Sequence, residues 1–216
     1  MITYHSELPL VRTSADEVLQ PWRAELLLPD AALEFREDLH DEEASALSGS
    51  CLRRRDKSSV LADAELFRYI WSDEIDPREA FEATTCDTEE YMCLFDEDGW
   101  LDEQMLRELD GPVDGHVLVV DRVRVAPAWR GRLLGPLLAA GAIIDLGVGC
   151  AVAAAYPSPF ELERDDPGRP EQQKRLERLW QRFGFTPWRN GVFVLAIESN
   201  TLGNTFEWLR ANAANP

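Results

Sequence analysis

The chain has 216 residues, a formal net charge of −18, 45% hydrophobic side chains and four scattered cysteines. That length suits one domain, or one with a sizeable extension, and the apolar fraction supplies a substantial core. The acidity argues against a phosphate-backbone binder, the cysteines and three dispersed histidines form no metal or redox motif, and no run resembles a signal peptide or membrane span, so a reduced cytoplasmic protein with no nucleic-acid and no membrane partner is expected.

The charge is unevenly placed. Residues 1–110 hold 29 acidic and 10 basic side chains, and residues 111–216 hold 11 and 12. The acidic half would attract a small-molecule amine or basic peptide, or serve solubility alone. The near-neutral half, with Arg122, Arg124, Arg130 and Arg132, is where an anionic ligand is expected.

In chain order, residues 1–20 read as a loosely held terminus. Trp22–Leu28 and Ala32–Glu37 read as a hairpin around Pro29-Asp30, and Asp38–Glu43 as an acidic turn. Arg53–Arg55 is a basic run that needs only solvent or local salt-bridge partners. Apolar residues at 60, 61, 66, 67, 70 and 71 predict a helix over Ser59–Trp71. Asp76-Pro77 starts a short helix, Tyr91–Phe95 continues in helical spacing, and Leu101–Leu109 forms a further helix. The first 110 residues therefore read as mainly helical, with one or two strands.

The pattern then changes. Val117–Val125 has apolar residues at 117, 119, 123 and 125, with Arg122 and Arg124 on the other parity, which predicts a strand ended by Pro127. The loop Arg130-Gly131-Arg132-Leu133-Leu134-Gly135 leads into a helix with Leu137, Leu138, Ala142, Ile143 and Ile144 on one face. A strand, an arginine- and glycine-bearing loop and a helix N-terminus together suit an anionic phosphate group, because first-turn amides and the helix dipole point at it. A strand at Gly149–Ala155 follows. A loop over Phe160–Glu171 is either a lid or a solvated insertion. Leu176–Phe185 reads as a helix ending in Gly184-Phe185, and Val192–Ile197 as a strand.

Val123-Arg124-Val125-Ala126-Pro127, followed by Arg130 and Gly135, resembles the GCN5-related N-acetyltransferase (GNAT) family. That family's signature is Arg/Gln-x-x-Gly-x-Gly/Ala after a strand ending V-x-V-x-P. Leu133 stands where the middle glycine is usual. The helix that ends in Gly184-Phe185 before a strand carries the same resemblance, with Trp180 where the family often has a tyrosine acid. The resemblance spans residues 116–198. It implies an α/β acyl-CoA N-acyltransferase fold: a mixed, mostly antiparallel sheet, splayed at its centre and flanked by helices. The chain would be a single domain, with residues 1–110 as an enlarged, helical, variable N-terminal part and residues 116–198 as the acyl-CoA-binding core.

The activity so implied is N-acetylation of an amine, with acetyl-CoA as cosubstrate. Arg130, Gly131, Arg132, Leu133, Leu134 and Gly135 would hold pyrophosphate, and the backbone of Val123, Arg124 and Val125 would pair with the pantetheine amides. Gln173 falls where the family often has an asparagine near the cofactor. Asp121 stands where several members have a glutamate base. On the same parity as Val117, Val119, Val123 and Val125, it would be partly buried with a raised pKa, or else paired with an arginine. Tyr156 would approach the thioester from the opposite lip, or belong to a plain Tyr156-Pro157-Ser158-Pro159 turn. No metal is implied, and nothing sets the oligomeric state. Two other classes stay open: a catalytically inactive acyl-CoA-binding module, and a protein whose acidic half recognises a basic partner.

Overall fold

The computed structural model describes residues 1–6, 18–29, 51–55, 57–72, 74–82, 89–112, 115–198 and 200–213. Their strands are Ile2–Ser6 (β1), Leu19–Pro29 (β2), Arg53–Arg55 (β3), Ser58–Tyr69 (β4), His116–Val125 (β5), Cys150–Ala155 (β6), Thr186–Pro187 (β7) and Phe193–Ala196 (β8). Their α-helices are Pro77–Glu82 (α1), Glu103–Leu109 (α2), Leu134–Leu146 (α3), Arg169–Arg182 (α4) and Asn200–Asn212 (α5), with 3₁₀ turns at Glu89–Leu94 and Pro127–Trp129.

All eight strands join one sheet in the order β1-β2-β4-β5-β6-β8-β7, with β3 also on β4. Every pairing is antiparallel except β5 with β6. A parallel pair needs a crossover, and α3 supplies it. Period-two alternation divides the interior between the two faces of the sheet. Ala62, Ala64, Leu66, Leu118 and Val120 meet Leu138 and Ile143 of α3 and Leu202 and Leu209 of α5. Tyr69, Val117, Val119 and Val152 meet Phe81, Tyr91, Leu94 and Met105 on the opposite face.

The N-terminal half is the main correction to the sequence reading. Its described residues supply four strands and only short helical pieces, not an enlarged helical part. Ser59–Trp71 is not a helix, because β4 occupies Ser58–Tyr69. Ala62, Ala64 and Leu66 face α3, while Asp63 and Glu65 face away. Alanines at the core positions gave that alternation a weak hydrophobic contrast, and alanine favours helix when isolated. The terminus is held at Ile2–Ser6 by pairing with β2. The expected strand Ala32–Glu37 and turn Asp38–Glu43 lie outside the described residues. The helix expected before Gly111 forms as α2, where the Asp102 carboxylate accepts from the amides of Gln104 and Met105.

Residue parity along β5 is not continuous. Val120 pairs with Leu66 and Arg122 with Glu65, so Asp121 is an extra residue, a β-bulge. Val123 and Val125 therefore pack on the α3 side with Leu118 and Val120, opposite Val117 and Val119. The shared parity expected for Asp121 and all four valines fails at this bulge.

The face of the sheet away from α3 carries buried charge. Glu25 and Asp63 are both almost fully buried. Arg53 bridges them, Arg55 pairs with Glu25, and Arg124 pairs with Asp63 and Glu65. The Arg53–Arg55 run is thus a set of local salt-bridge partners.

Candidate functional site

The parallel pairing of β5 with β6 runs up to Val120 opposite Ala155 and then stops. Asp121 and Tyr156 are the first residues beyond it on the two strands. The bulge turns β5, and Pro157 and Pro159 remove amide donors from the chain leaving β6. Between the diverging segments opens a cavity of about 690 Å³, walled by β5, α3, α4, α5 and the loop after β6. Asp121, Val123, Val125 and Tyr156 all line it.

The start of α3 lies at one end of this cavity. Gly131 has φ 80° and Leu133, the residue capping the helix, has φ 60°. Leu133 thus holds the left-handed conformation that glycine favours, at a cost of about 1–2 kcal/mol. Its carbonyl accepts from the Leu137 amide at 3.0 Å. At Gly135 a Cβ would lie 3.2 Å from Cγ2 of Val125 and 3.4 Å from Cγ1 of Val123. Glycine there lets the first turn of α3 lie close against β5. The Leu134 and Gly135 amides belong to a first turn that has no carbonyl partner within the helix.

Arg130 is held from two sides. Its Nε donates to the Val125 carbonyl at 3.1 Å, and its Nη2 donates to both Glu161 carboxylate oxygens at 2.8 Å. Glu161 lies on the loop after β6, which Arg169 staples through the Leu162 carbonyl at 2.6 Å and Ser158 Oγ at 2.9 Å. The loop therefore reaches across from α4 to the arginine beside α3, and Arg130 and Glu161 both line the cavity.

The other expected residues divide. Arg132 lies over the Trp129 ring at 5.0 Å, outside the cavity lining. The Arg124 guanidinium points to the other face, donating to Asp63 at 2.8 and 3.1 Å and to Glu65 at 2.8 Å. Gln173 donates to Glu177 at 3.2 Å, and its neighbour Gln172 lines the cavity instead. The Asp121 side chain is 11% exposed, with Oδ2 3.4 Å from Arg122 Nε, which realises the paired alternative. The Tyr156 amide donates to the Tyr91 hydroxyl at 3.1 Å. The Tyr156 ring covers Gly191, where a Cβ would sit 2.9 Å from it. Trp180 is half-buried, packs on the edge of the core where it meets Phe185 edge-on at 4.7 Å, and lines the cavity.

Sequence reasoning missed Glu161 and Gln172. Glu161 belongs to the stretch read as a lid or insertion, but no motif marks a carboxylate that reaches a guanidinium 31 residues away.

No family model matches the chain, and no curated protein sequence matches it. Among solved structures, it is similar to AtaT complexed with acetyl-methionyl-tRNAfMet, at 11% identity and TM-score 0.41, over 94% of this chain and 99% of that one. It is similar to the KacTA–DNA complex at 8% identity and TM-score 0.39, over 88% and 74%. Arabidopsis thaliana NAA60 in complex with acetyl-CoA is similar at 12% identity and TM-score 0.37, over 92% and 100%. These findings correct the expectation on partners. KacTA is bound to DNA and AtaT to a tRNA, so neither the exclusion of nucleic acid nor the restriction to small amines and basic peptides stands.

Proposed function

We propose that the chain is an acyl-CoA-dependent N-acetyltransferase with acetyl-CoA as cosubstrate. One observation carries the reading: the β5–β6 pair opens at Val120 and Ala155 onto a cavity with a helix N-terminus and an arginine at one end. The donor set suits the cosubstrate chemically. Arg130 and the first-turn amides of α3 would hold pyrophosphate. The unpaired edge of β5 past the bulge offers backbone groups to the pantetheine amides, as an added strand would use them. Gly135 and Leu133 set how closely the phosphates approach.

When bound, acetyl-CoA supplies an activated acyl carbon. Transfer forms a C–N bond to the acceptor, breaks the C–S bond, and releases thiolate and one amine proton. Asp121 would take that proton, directly or through a water, once Arg122 yields its carboxylate. Tyr156 reaches the same opening from β6 and can return a proton to the leaving sulfur. The Asp121–Arg122 pair itself favours a second reading, an acyl-CoA-binding module without turnover.

Asp121→Asn separates them. If Asp121 is the base, turnover measured by thiol release falls about 10²–10⁴-fold while acetyl-CoA affinity holds. Unchanged turnover in a folded variant discards that role. A wild type that binds acetyl-CoA yet acylates no amine, peptide amine or aminoacyl-tRNA selects the second reading.

A further inference from the structure

We infer that the inner end of the cavity also admits thioester acyl chains longer than acetyl, so that longer acyl-CoAs are cosubstrates beside acetyl-CoA. The inference rests on the reading of the cavity as an acyl-CoA groove.

The cavity's polar lining is concentrated at its outer end. Arg130, Ser158, Glu161 and Gln172 lie near the loop and the start of α3, and Asp121 marks the splay. The cavity then follows α3 from Gly135 to Ile143, a rise of about 12 Å. Its inner wall is Ile143, Trp180, Phe183, Phe185 and Leu202, and the Thr205 hydroxyl is the polar side-chain group there. Ile143 and Leu202 are almost fully buried yet border the same continuous space as Asp121 and Tyr156.

The packing of α4 makes the same point. None of its side chains is fully buried, and Leu176, Leu179 and Trp180 line the cavity, with Leu179 and Trp180 packed only on the edge of the core. Protein interiors ordinarily fill such spaces, because side chains bordering a gap lose their dispersion contacts. The amides of a pantetheine arm would find backbone partners along β5 at the outer end, whereas among the described residues the inner wall offers the Thr205 hydroxyl as its polar side-chain group. A polar acceptor would be stripped of water there without compensation. An aliphatic chain gains contact with every methylene, and one acetyl methyl leaves most of the inner wall untouched.

The test is calorimetric titration of the whole chain with acetyl-, butyryl-, hexanoyl- and octanoyl-CoA, kept below their micellar concentrations. Affinity is expected to rise about fourfold per added methylene until the inner wall is reached. Thr205→Phe and Leu179→Phe, both at half-buried positions, narrow the inner end. Each should weaken octanoyl-CoA at least tenfold and leave acetyl-CoA within twofold. Measurable acetyl-CoA binding with no gain along the wild-type series overturns the inference and leaves the groove reading intact. A gain that both folded variants retain overturns it too, because the chain then lies elsewhere. Failure of every ester to bind, acetyl-CoA included, overturns the groove reading and the inference with it. The wild-type series decides even if a variant does not fold.

Discussion

The two helices that wall the cavity are built on opposite principles. In α3, eight residues are buried, its mean hydropathy is high, and Gly135 and Gly141 let it approach its neighbours. In α4, none is buried, and a half-buried apolar stripe lines the cavity while resting on the edge of the core. α3 is a fixed wall that sets backbone amides in place. α4 is a less buried wall, held by Arg169 and the loop it staples and by Leu179 and Trp180 on the edge of the core. A site with one rigid and one yielding side can hold a constant phosphate group while adapting to what lies deeper.

The contrast can be broken most directly by truncation. Leu138 of α3 is fully buried, and Leu138→Ala should cost about 2–5 kcal/mol in urea unfolding. Leu179→Ala on α4 should cost only about 1 kcal/mol, because little apolar surface changes its exposure. Equal costs would mean that α4 is as firmly packed as α3.

The next effect is on binding. Arg130→Ala should weaken acetyl-CoA about tenfold or more, since hydrogen bonds between charged groups are the strong ones. Glu161→Gln should act oppositely, tightening binding about two- to fivefold by freeing Arg130 from an exposed ion pair. Glu163→Gln, on the same loop, is the control for a general charge effect. If both glutamate variants gain equally, the Arg130–Glu161 contact has no special part.

How much of this was legible in the sequence depends on how local each signal is. The β5–loop–α3 unit was readable because alternation, proline and the arginine–glycine loop lie within some thirty residues. The strand β4 was not, since two of its core positions are alanines and its outward carboxylates are paired with arginines from β2, β3 and β5. Asp121 was singled out on a parity that the bulge cancels. One inserted residue leaves no mark in a valine-rich strand until its partner is known. Glu161 was invisible for a similar reason, because its partner belongs to a separate loop.

Leu133 sharpens the comparison at the junction of loop and rigid wall. Leu133→Gly relieves a left-handed leucine worth about 1–2 kcal/mol. It gives up a partial burial of similar size, about 1–2 kcal/mol. The melting temperature should therefore move little, while acetyl-CoA binds more tightly through closer approach to the loop. Loss of stability without gain in affinity would show that the side chain serves the core alone.

The smallest expected effect is a pH dependence at the far end of β5. Burial, and then the nearby Arg68, hold the His116 imidazole below the ordinary histidine range, and its Nδ1 accepts from the Trp71 amide at 3.2 Å. The folded-state value lies below the unfolded one, so this contribution is complete above about pH 6.5 and is lost as pH falls through the folded value. In urea titrations the advantage of wild type over His116→Gln should be constant above that pH and shrink below it. A gap that widens on acidification would reverse the assignment.

The buried carboxylates of the sheet also bear on how the chain emerges during synthesis. Asp63 has one arginine partner only ten residues away, Arg53, and another 61 residues away, Arg124. Glu25 is served by Arg53 and Arg55, and Glu65 by Arg23. Every one of these acids thus has a cation encoded before β5 begins. A nascent chain that has not yet reached residue 116 therefore already carries the cations that neutralise the carboxylates of β2 and β4. β5 adds Arg124 to a charge network that is already balanced without it, together with the bulge that opens the site.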